Sequence, residues 1–204
     1  MRIFAIGRNY AEHIQELNNE RPDEPVIFTK PDSAILTGNT PFQHPEFSKD
    51  IHHEIELVLK IGKQGKNINR ADAVSYIESI GLGVDFTARD LQQKAKDKGL
   101  PWDLAKGFDG SAPISDTFFP TTHFADLTNI NFSLDVDGQL RQKGNTSLML
   151  FPFDYIISYL SVFFTLKPGD LIFTGTPKGV SAVKPGNRLT GFIENNKVLE
   201  FEVR

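Results

Sequence analysis

One stretch, residues 50 to 63 (DIHHEIELVLKIGK), constrains the fold of this chain more than any other. Its alternation predicts a β-strand over residues 51 to 61, because successive side chains of a strand point to opposite faces. The apolar face would carry Ile55, Leu57 and Leu59. The other face would carry Glu54, Glu56, Val58 and Lys60. Two carboxylates so placed stand roughly 6.5 to 7 Å apart at their Cα atoms, and they repel each other unless water or a cation lies between them.

The glutamate pair has two interpretations. A half-exposed strand whose polar face meets water explains it without any function, because charged side chains are usually solvated. A cation site would need a third oxygen ligand, and Asp85 is a candidate because it follows an apolar segment and precedes a predicted helix. The chain has no cysteine, so only oxygen or imidazole could hold a metal. Three carboxylates favour Mg²⁺ or Mn²⁺, with Ca²⁺ as an alternative, and the adjacent His52 and His53 keep zinc open.

Composition bounds the class of protein. The 204 residues are 39% hydrophobic and include 17 phenylalanines, which is enough to build a sizeable core. The 22 basic and 26 acidic residues give a net charge of −4 without a basic run, so nucleic acid and anionic membranes are poor partners. No apolar stretch approaches the 18 residues of a membrane span and no leader precedes the first motif, so we expect a soluble, cytoplasmic protein.

The order of the predicted elements indicates a mixed α/β fold that is predominantly β, with a few short helices, as one domain over residues 1 to 204. Helices are expected from Asn9 or Tyr10, after residue 70, from a capping box at Thr87 and Asp90 to Lys98, and over residues 154 to 166. Hairpins are expected around residues 137–138 and 195–196.

Three further features could carry chemistry. His13 and Glu16 would be neighbours on one face of the first helix, where a carboxylate can make an imidazole a better base. An ordinary surface pair fits the same spacing. Two glycine-containing loops, 104–113 with Lys106 and 173–180 with Thr176, could present donors to an anion or simply close a hairpin.

Taken in order along the chain, these motifs are more specific than any of them alone. GRNYAEH, VIFTKP, HHEIEL, VDFTARDLQ, KGLPWDLAKGFD and FTGTPKGV together resemble the fumarylacetoacetate hydrolase family, from about residue 5 to the end. The resemblance is strongest to its short acylpyruvase and oxaloacetate decarboxylase branch. It implies a β-sandwich or roll like the C-terminal domain of that family, in a homodimer.

The resemblance also implies roles for residues. Mg²⁺ or Mn²⁺ would be bound by Glu54, Glu56 and Asp85. The catalytic residues would be His13, Glu16 and Lys106, with His13 and Glu16 on a helix that acts as a lid. The substrate-binding residues would be Arg8, Lys30, Arg89, Gln92 and Thr176.

The implied substrate is a small 2-oxo acid, whose enolate the metal would stabilise as a Lewis acid. We expect first a hydrolase that cleaves the C3–C4 bond of acylpyruvates, using a water activated by His13, with some oxaloacetate decarboxylase activity. The alternative is an isomerase, tautomerase, decarboxylase or hydratase of a 2-oxo diacid, for which Arg8 or Lys30 would hold the distal carboxylate. A cupin-like binding domain without catalysis is the third interpretation.

Overall fold

The computed structural model describes all 204 residues and confirms a mixed fold that is mostly β. The strands are β1 (Ile3–Gly7), β2 (Val26–Lys30), β3 (Ile35–Leu36), β4 (Ile51–His53), β5 (Ile55–Ile61), β6 (Ile77–Val84), β7 (Thr87–Ala88), β8 (Ala112–Pro113), β9 (Phe119–Pro120), β10 (Asn131–Val136), β11 (Gln139–Asn145), β12 (Leu171–Phe173), β13 (Ser181–Ala182), β14 (Arg188–Ile193) and β15 (Asn196–Glu202). The helices are α1 (Ala11–Glu16), α2 (Arg70–Ala73), α3 (Arg89–Lys98), α4 (Asp103–Lys106) and α5 (Phe153–Phe163).

Two sheets dominate the architecture. The larger has six strands in the order β2-β1-β12-β5-β6-β9, and the smaller has four in the order β11-β10-β14-β15. The smaller sheet packs on β5 and β6 of the larger one. Two short sheets, β13-β4-β7 and β3-β8, lie beside them. The β1–β12 pair is parallel, whereas the other pairs of the six-stranded sheet are antiparallel.

The six-stranded sheet buries apolar side chains on both faces. On β5, Ile55, Leu57 and Leu59 belong to the main core between the two large sheets, as the alternation predicts. Val58 points the other way, into a smaller apolar cluster with Ile3 and other side chains of β1 and β12. The face that carries Val58 is therefore buried as well, and the glutamates on it do not meet bulk water.

The predicted continuous strand over residues 51 to 61 is wrong at one position. The extended chain divides at Glu54 into β4 and β5, because the two parts pair with different neighbours. Strand β4 pairs with β13 and β7, whereas β5 pairs with β12 and β6. At the division, the Ile55 N–H donates to the side chain of Gln142 at 3.0 Å instead of to another strand.

The predicted capping box of α3 is also wrong. The residue before the helix is Ala88, which makes no side-chain capping hydrogen bond. The Thr87 hydroxyl donates to the Asp85 carbonyl instead, and the Asp90 carboxylate accepts from the Ser48 hydroxyl at 2.7 Å. The end of the helix is as expected, since Gly99 adopts the left-handed conformation with φ of 62°.

The remaining elements confirm the predicted order. Both hairpins form, with β10 paired to β11 and β14 paired to β15. Helix α5 is shorter than predicted and ends at Phe163, because the chain beyond it extends to form a β-bridge between Leu166 and Gly65.

Candidate active site

The centre of the candidate site is set by the pairing of β5 with β6. Glu56 lies opposite Gly83, and the register continues to Asp85, whose N–H donates to the Glu54 carbonyl at 2.8 Å. Opposite residues of an antiparallel pair point to the same face. The carboxylates of Glu54, Glu56 and Asp85 therefore converge, and one oxygen of each lies within 4.8 Å of the others. All three side chains are buried.

Three cations surround this carboxylate triad. Lys106 Nζ lies 2.8 Å from Glu54 Oε2 and 2.6 Å from Asp85 Oδ2. Lys30 Nζ lies 2.7 Å from Asp85 Oδ1, and Arg89 Nη2 lies 2.5 Å from Glu54 Oε1. We call these six side chains the inner cluster: Lys30, Glu54, Glu56, Asp85, Arg89 and Lys106. Burial makes each unpaired charge in it expensive, so the ion pairs hold its geometry tightly.

The two glutamates differ in protonation. Burial raises the pKa of Glu54, but the Lys106 ammonium and the Arg89 guanidinium outweigh burial and hold that pKa well below its ordinary range. Burial raises the pKa of Glu56 as well, and repulsion from Asp85 and Glu54 raises it further, well above the usual range. Glu56 is thus the carboxylate of the triad that most lacks a positive partner.

The triad could hold a divalent metal ion. Its donors are carboxylate oxygens without thiolate or imidazole, which is the set that hard cations such as Mg²⁺ and Mn²⁺ prefer. A cation placed there would also supply the charge that Glu56 lacks. His52 and His53 do not join the triad. The His52 ring pairs with Asp50, whereas both nitrogens of His53 bond to Gln142 and Ser181.

Helix α1 brings His13 to the same pocket. Its Nδ1 lies 3.2 Å from Glu16 Oε2, and the other oxygen of Glu16 accepts from the Gly179 N–H at 2.9 Å. Gly179 has φ of 99°, and a Cβ there would lie 2.1 Å from the Arg141 carbonyl oxygen, so only glycine fits. Burial lowers the pKa of His13, although Glu54 and Glu16 oppose that shift. The imidazole is therefore neutral at pH 7.

The loop after β12 approaches the triad from another side. The Gly175 N–H donates to Glu56 Oε2 at 2.6 Å. Gly175 also has positive φ, 102°, and a Cβ on it would lie 2.6 Å from Asn9 Cβ. Two backbone donors of this loop, Gly175 and Gly179, thus bind carboxylates of the protein, and Thr176 of the same loop lines the pocket.

Most of the predicted site residues line one pocket. Its walls include nine of them: Arg8, His13, Glu54, Glu56, Asp85, Arg89, Gln92, Lys106 and Thr176. The other two stand behind the wall. Glu16 supports His13, whereas Lys30 is turned inward to Asp85, Ser111 and the Lys106 carbonyl. Apolar walls are provided by Ile6, Leu17, Phe28 and Trp102.

Two further cations face this pocket without carboxylate partners. Arg8 and Lys96 line it and take part in none of the ion pairs of the protein. Lys96 Nζ only contacts Asn19 Oδ1 at 3.3 Å and lies over the Trp102 ring. Burial lowers the pKa of Lys96, and Arg8 lowers it further. We call Arg8 and Lys96 the outer cations.

Sequence reasoning missed two residues of this site. Lys96 follows Arg89 by seven residues and Gln92 by four, so the helical period of α3 would have placed all three on one face. Gln142 carries no local signal. Its side chain lies beside Ile55 and Thr176 only because β11 crosses that end of β5.

The fold and the pocket define a β-rich enzyme built around a buried carboxylate triad. A family profile described as fumarylacetoacetate (FAA) hydrolase C-terminal matches residues 2–204. The chain belongs to this family, as the sequence motifs indicate.

Relatives within the family carry several activities. The chain is 49% identical over 186 residues to the mitochondrial oxaloacetate decarboxylase of Dictyostelium discoideum, covering 91% of this chain and 85% of the relative. It is 43% identical over 201 residues to the mitochondrial oxaloacetate tautomerase FAHD1 of Bos taurus, covering 98% and 90%. The crystal structure of the Pseudomonas aeruginosa fumarylpyruvate hydrolase with Mn²⁺ and pyruvate superposes with a TM-score of 0.94 at 38% identity, covering 100% and 89%.

None of the helices has both the length and the apolar character that a membrane crossing requires. The expected cytoplasmic location stays a prediction, and both oxaloacetate enzymes named above are mitochondrial.

Proposed function

We propose that this chain is a Mg²⁺- or Mn²⁺-dependent enzyme that acts on 2-oxo dicarboxylates, with the interconversion of the keto and enol forms of oxaloacetate as its main reaction. The observation that carries this choice is the pair of outer cations. Arg8 and Lys96 face the pocket of the triad but bind no carboxylate of the protein. A second carboxylate on the substrate would give them the partner that they lack.

The charges around the pocket favour a dianionic substrate over a monoanionic one. Five cations stand in or directly behind this pocket, against four carboxylates, and a divalent metal would add to the positive excess. Arg89 Nε is also buried without a hydrogen-bond partner, which leaves one donor of this guanidinium unpaired. Opposite charge in a desolvated pocket favours the ligand that neutralises more of it.

The candidate metal site indicates where the 2-oxo acid end of the substrate would bind. Glu54, Glu56 and Asp85 would hold the cation, which supplies a Lewis acid for the 2-oxo oxygen when it is bound. Lys106 stands beside the triad, where its ammonium can stabilise negative charge on the substrate oxygens. Arg89 and Gln92 are already joined at 2.7 Å, and Thr176 completes the set of donors. Lys30 acts from behind by fixing Asp85.

Proton transfer is assigned to His13. Glu16 accepts from Nδ1–H, which fixes the tautomer and leaves Nε2 free to take a proton. In the keto-to-enol direction, Nε2 removes a proton from C3, the C–H electrons form the C2–C3 double bond, and the 2-oxo oxygen then takes the proton from Nε2 to give the enol. The reverse direction returns the proton to C3. No water and no bond cleavage between carbons is needed.

Acylpyruvate hydrolysis is the second candidate, and the same dyad favours it. A neutral His13 held by Glu16 can activate a water for attack on the C4 carbonyl, after which the C3–C4 bond breaks. The likeness to the fumarylpyruvate hydrolase structure supports this route. Oxaloacetate decarboxylation is a third outcome at the same centre, with the Dictyostelium relative as its support.

The test compares substrates on the same protein. Loss of the enol absorbance of oxaloacetate, release of pyruvate from oxaloacetate and loss of acetylpyruvate absorbance are measured with Mn²⁺ and with EDTA. We expect a metal-dependent loss of the enol with the highest kcat/KM of the three. Acetylpyruvate cleavage that exceeds it would establish the acylpyruvase, and equal rates with EDTA would reject the metal-dependent proposal.

We further propose that residues 1 to 204 act as one catalytic unit and that the protein is a homodimer. Support for the dimer comes from the end of α5, where Val162 and Phe163 are each 55% exposed. Light scattering of the wild type and of Phe163→Ser tests it. A monomeric wild type would contradict the proposal.

A further inference from the structure

A buried amide, that of Gln142 on β11, joins three parts of the site. Its side chain is 1% exposed, and all its hydrogen-bonding positions toward the protein are used. Oε1 accepts from His53 Nδ1 at 2.9 Å and from the Ile55 N–H at 3.0 Å. Nε2 donates to Thr176 Oγ1 and to the Pro177 carbonyl, both at 2.8 Å.

Backbone groups fix which end of this amide is which. The Ile55 N–H can only donate, so the atom facing it must be the oxygen. The Pro177 carbonyl can only accept, so the atom facing it must be the nitrogen. A flipped amide would bring donor against donor and acceptor against acceptor in a buried place, and each group left unpaired there destabilises the fold. The orientation of Gln142 is thus determined by the chain itself.

The orientation of the amide determines the role of Thr176. One of the two Nε2 hydrogens goes to Pro177, and the other goes to Thr176 Oγ1. The Thr176 oxygen is then an acceptor toward Gln142, and its own hydrogen must point elsewhere. No protein group accepts that hydrogen, although Thr176 is only 4% exposed and lines the pocket of the triad.

We infer that Gln142 is a positioning residue that makes the Thr176 hydroxyl an obligatory donor toward an anionic ligand in the pocket. Without Gln142, the hydroxyl could rotate and donate to the protein. With it, the hydroxyl can only donate into the pocket, where a carboxylate or 2-oxo oxygen accepts. Only the anionic nature of the ligand rests on the proposed function.

The test uses a double-mutant cycle with pyruvate as the probe, titrated calorimetrically into the Mn²⁺-loaded protein. Gln142→Glu keeps an acceptor for the Ile55 N–H and for His53. It also presents an acceptor to Thr176, so the Thr176 hydroxyl donates to this carboxylate and no longer into the pocket. Thr176→Val removes the hydroxyl itself. Each single change should raise the Kd by about tenfold or more, the effect of one hydrogen bond to a charged group.

Non-additivity separates positioning from a structural role. The double variant should bind no more weakly than Thr176→Val alone, because the two changes remove the same hydrogen bond. Thr176→Ser should restore the Kd, and Gln139→Glu, an exposed change on the same strand, should leave it unchanged. Losses that add in the double variant, or an unchanged Kd in Gln142→Glu, would overturn the inference.

A measurement without ligand keeps this result distinct from the proposed function. The side-chain amide of Gln142 has two protons with different partners, and its resonances are assigned by their loss in Gln142→Glu. Thr176→Val should shift one of them and leave the proton bonded to Pro177 in place. If the wild type turns over no oxaloacetate, the proposed function fails while this spectrum still decides on Gln142. An unchanged pair of resonances would refute it.

Discussion

The inner cluster and the outer cations occupy the same pocket but are built differently. Lys30, Arg89 and Lys106 pair with Glu54 or Asp85 at 2.8 Å or less, so these five side chains hold one another in place. The outer cations have no such partners, and Lys96 makes only one long contact to an amide. A paired buried charge fixes geometry, whereas an unpaired one at a pocket wall is available for a ligand. In the proposed function, the inner cluster would hold the metal and the outer cations would select the substrate.

The largest effect is expected from the inner cluster, at Glu56. Glu56→Gln should lower kcat/KM about 1,000-fold and weaken Mn²⁺ binding measured by calorimetry, because a Lewis acid contributes several kcal/mol to the reaction. Without metal, the same variant should melt at a higher temperature than the wild type at pH 7. The raised pKa of Glu56 means that its ionised form destabilises the folded state, and glutamine removes that charge.

The control for this variant is Glu78→Gln. Glu78 is an exposed glutamate on the neighbouring strand β6, where it pairs with Lys60 of β5. The control should leave both Mn²⁺ binding and turnover unchanged. A Glu56→Gln protein that keeps full turnover would show that the triad is not the metal site.

The next effect concerns His13, which lines the same pocket. His13→Ala should lower kcat/KM by about 100- to 10,000-fold, the usual contribution of a general base, and keep Mn²⁺ affinity. Because the base must be neutral and its pKa is lowered, the wild-type rate should fall only when the pH drops below the ordinary histidine value of 6.5.

The pH profile of kcat/KM at saturating Mn²⁺ checks this assignment. An acid limb centred above pH 6.5, or one that persists unchanged in His13→Ala, would contradict it. His123→Ala alters an exposed ring stacked on Phe119, far along the chain from α1, and serves as the matched control.

A smaller effect is expected from the outer cations. Lys96→Gln should lower kcat/KM for oxaloacetate about tenfold, the loss of one contact to a charged group, and leave acetylpyruvate nearly unaffected. Arg8→Gln should do the same. Lys94→Gln, an exposed change on the same helix, should affect neither substrate. Equal losses for both substrates would show that the outer cations do not select the second carboxylate.

The smallest effect is expected at the Lys178–Glu12 pair, which joins the loop after β12 to α1. Both side chains are about 60% exposed, and such pairs contribute about 0–1 kcal/mol. Lys178→Ala should therefore change kcat/KM less than about twofold and shift Tm by only a few degrees. A tenfold loss of turnover would mean that this surface pair holds α1 against the pocket.

Much of the inner cluster could be predicted from the sequence because it follows local periodicity. Alternation along β5 places Glu54 and Glu56 on one face, and the strand that ends at Asp85 is its antiparallel neighbour. The burial of that face could not be predicted, because it depends on residues outside this sheet, such as Ala34 and Ala112, that join the same apolar cluster from distant parts of the chain.

The two errors and the omission of Gln142 have the same origin, contacts between distant parts of the chain. The predicted strand divides at Glu54 because its two halves pair with strands of different sheets. The predicted capping box does not form, and the Ser48 hydroxyl donates to the Asp90 carboxylate instead. Gln142 acts across β4, β5 and the loop after β12, so no spacing within its own segment indicates it. Lys96 is different, because the helical period of α3 alone predicts that it shares a face with Arg89 and Gln92.

The most direct test of the central claim is anomalous diffraction from crystals soaked in Mn²⁺. We predict one strong peak among the carboxylates of Glu54, Glu56 and Asp85, with Lys106 Nζ moved away from its position between Glu54 and Asp85. A peak elsewhere, or none while Lys106 stays 2.6 Å from Asp85, would contradict a metal-dependent site in the inner cluster.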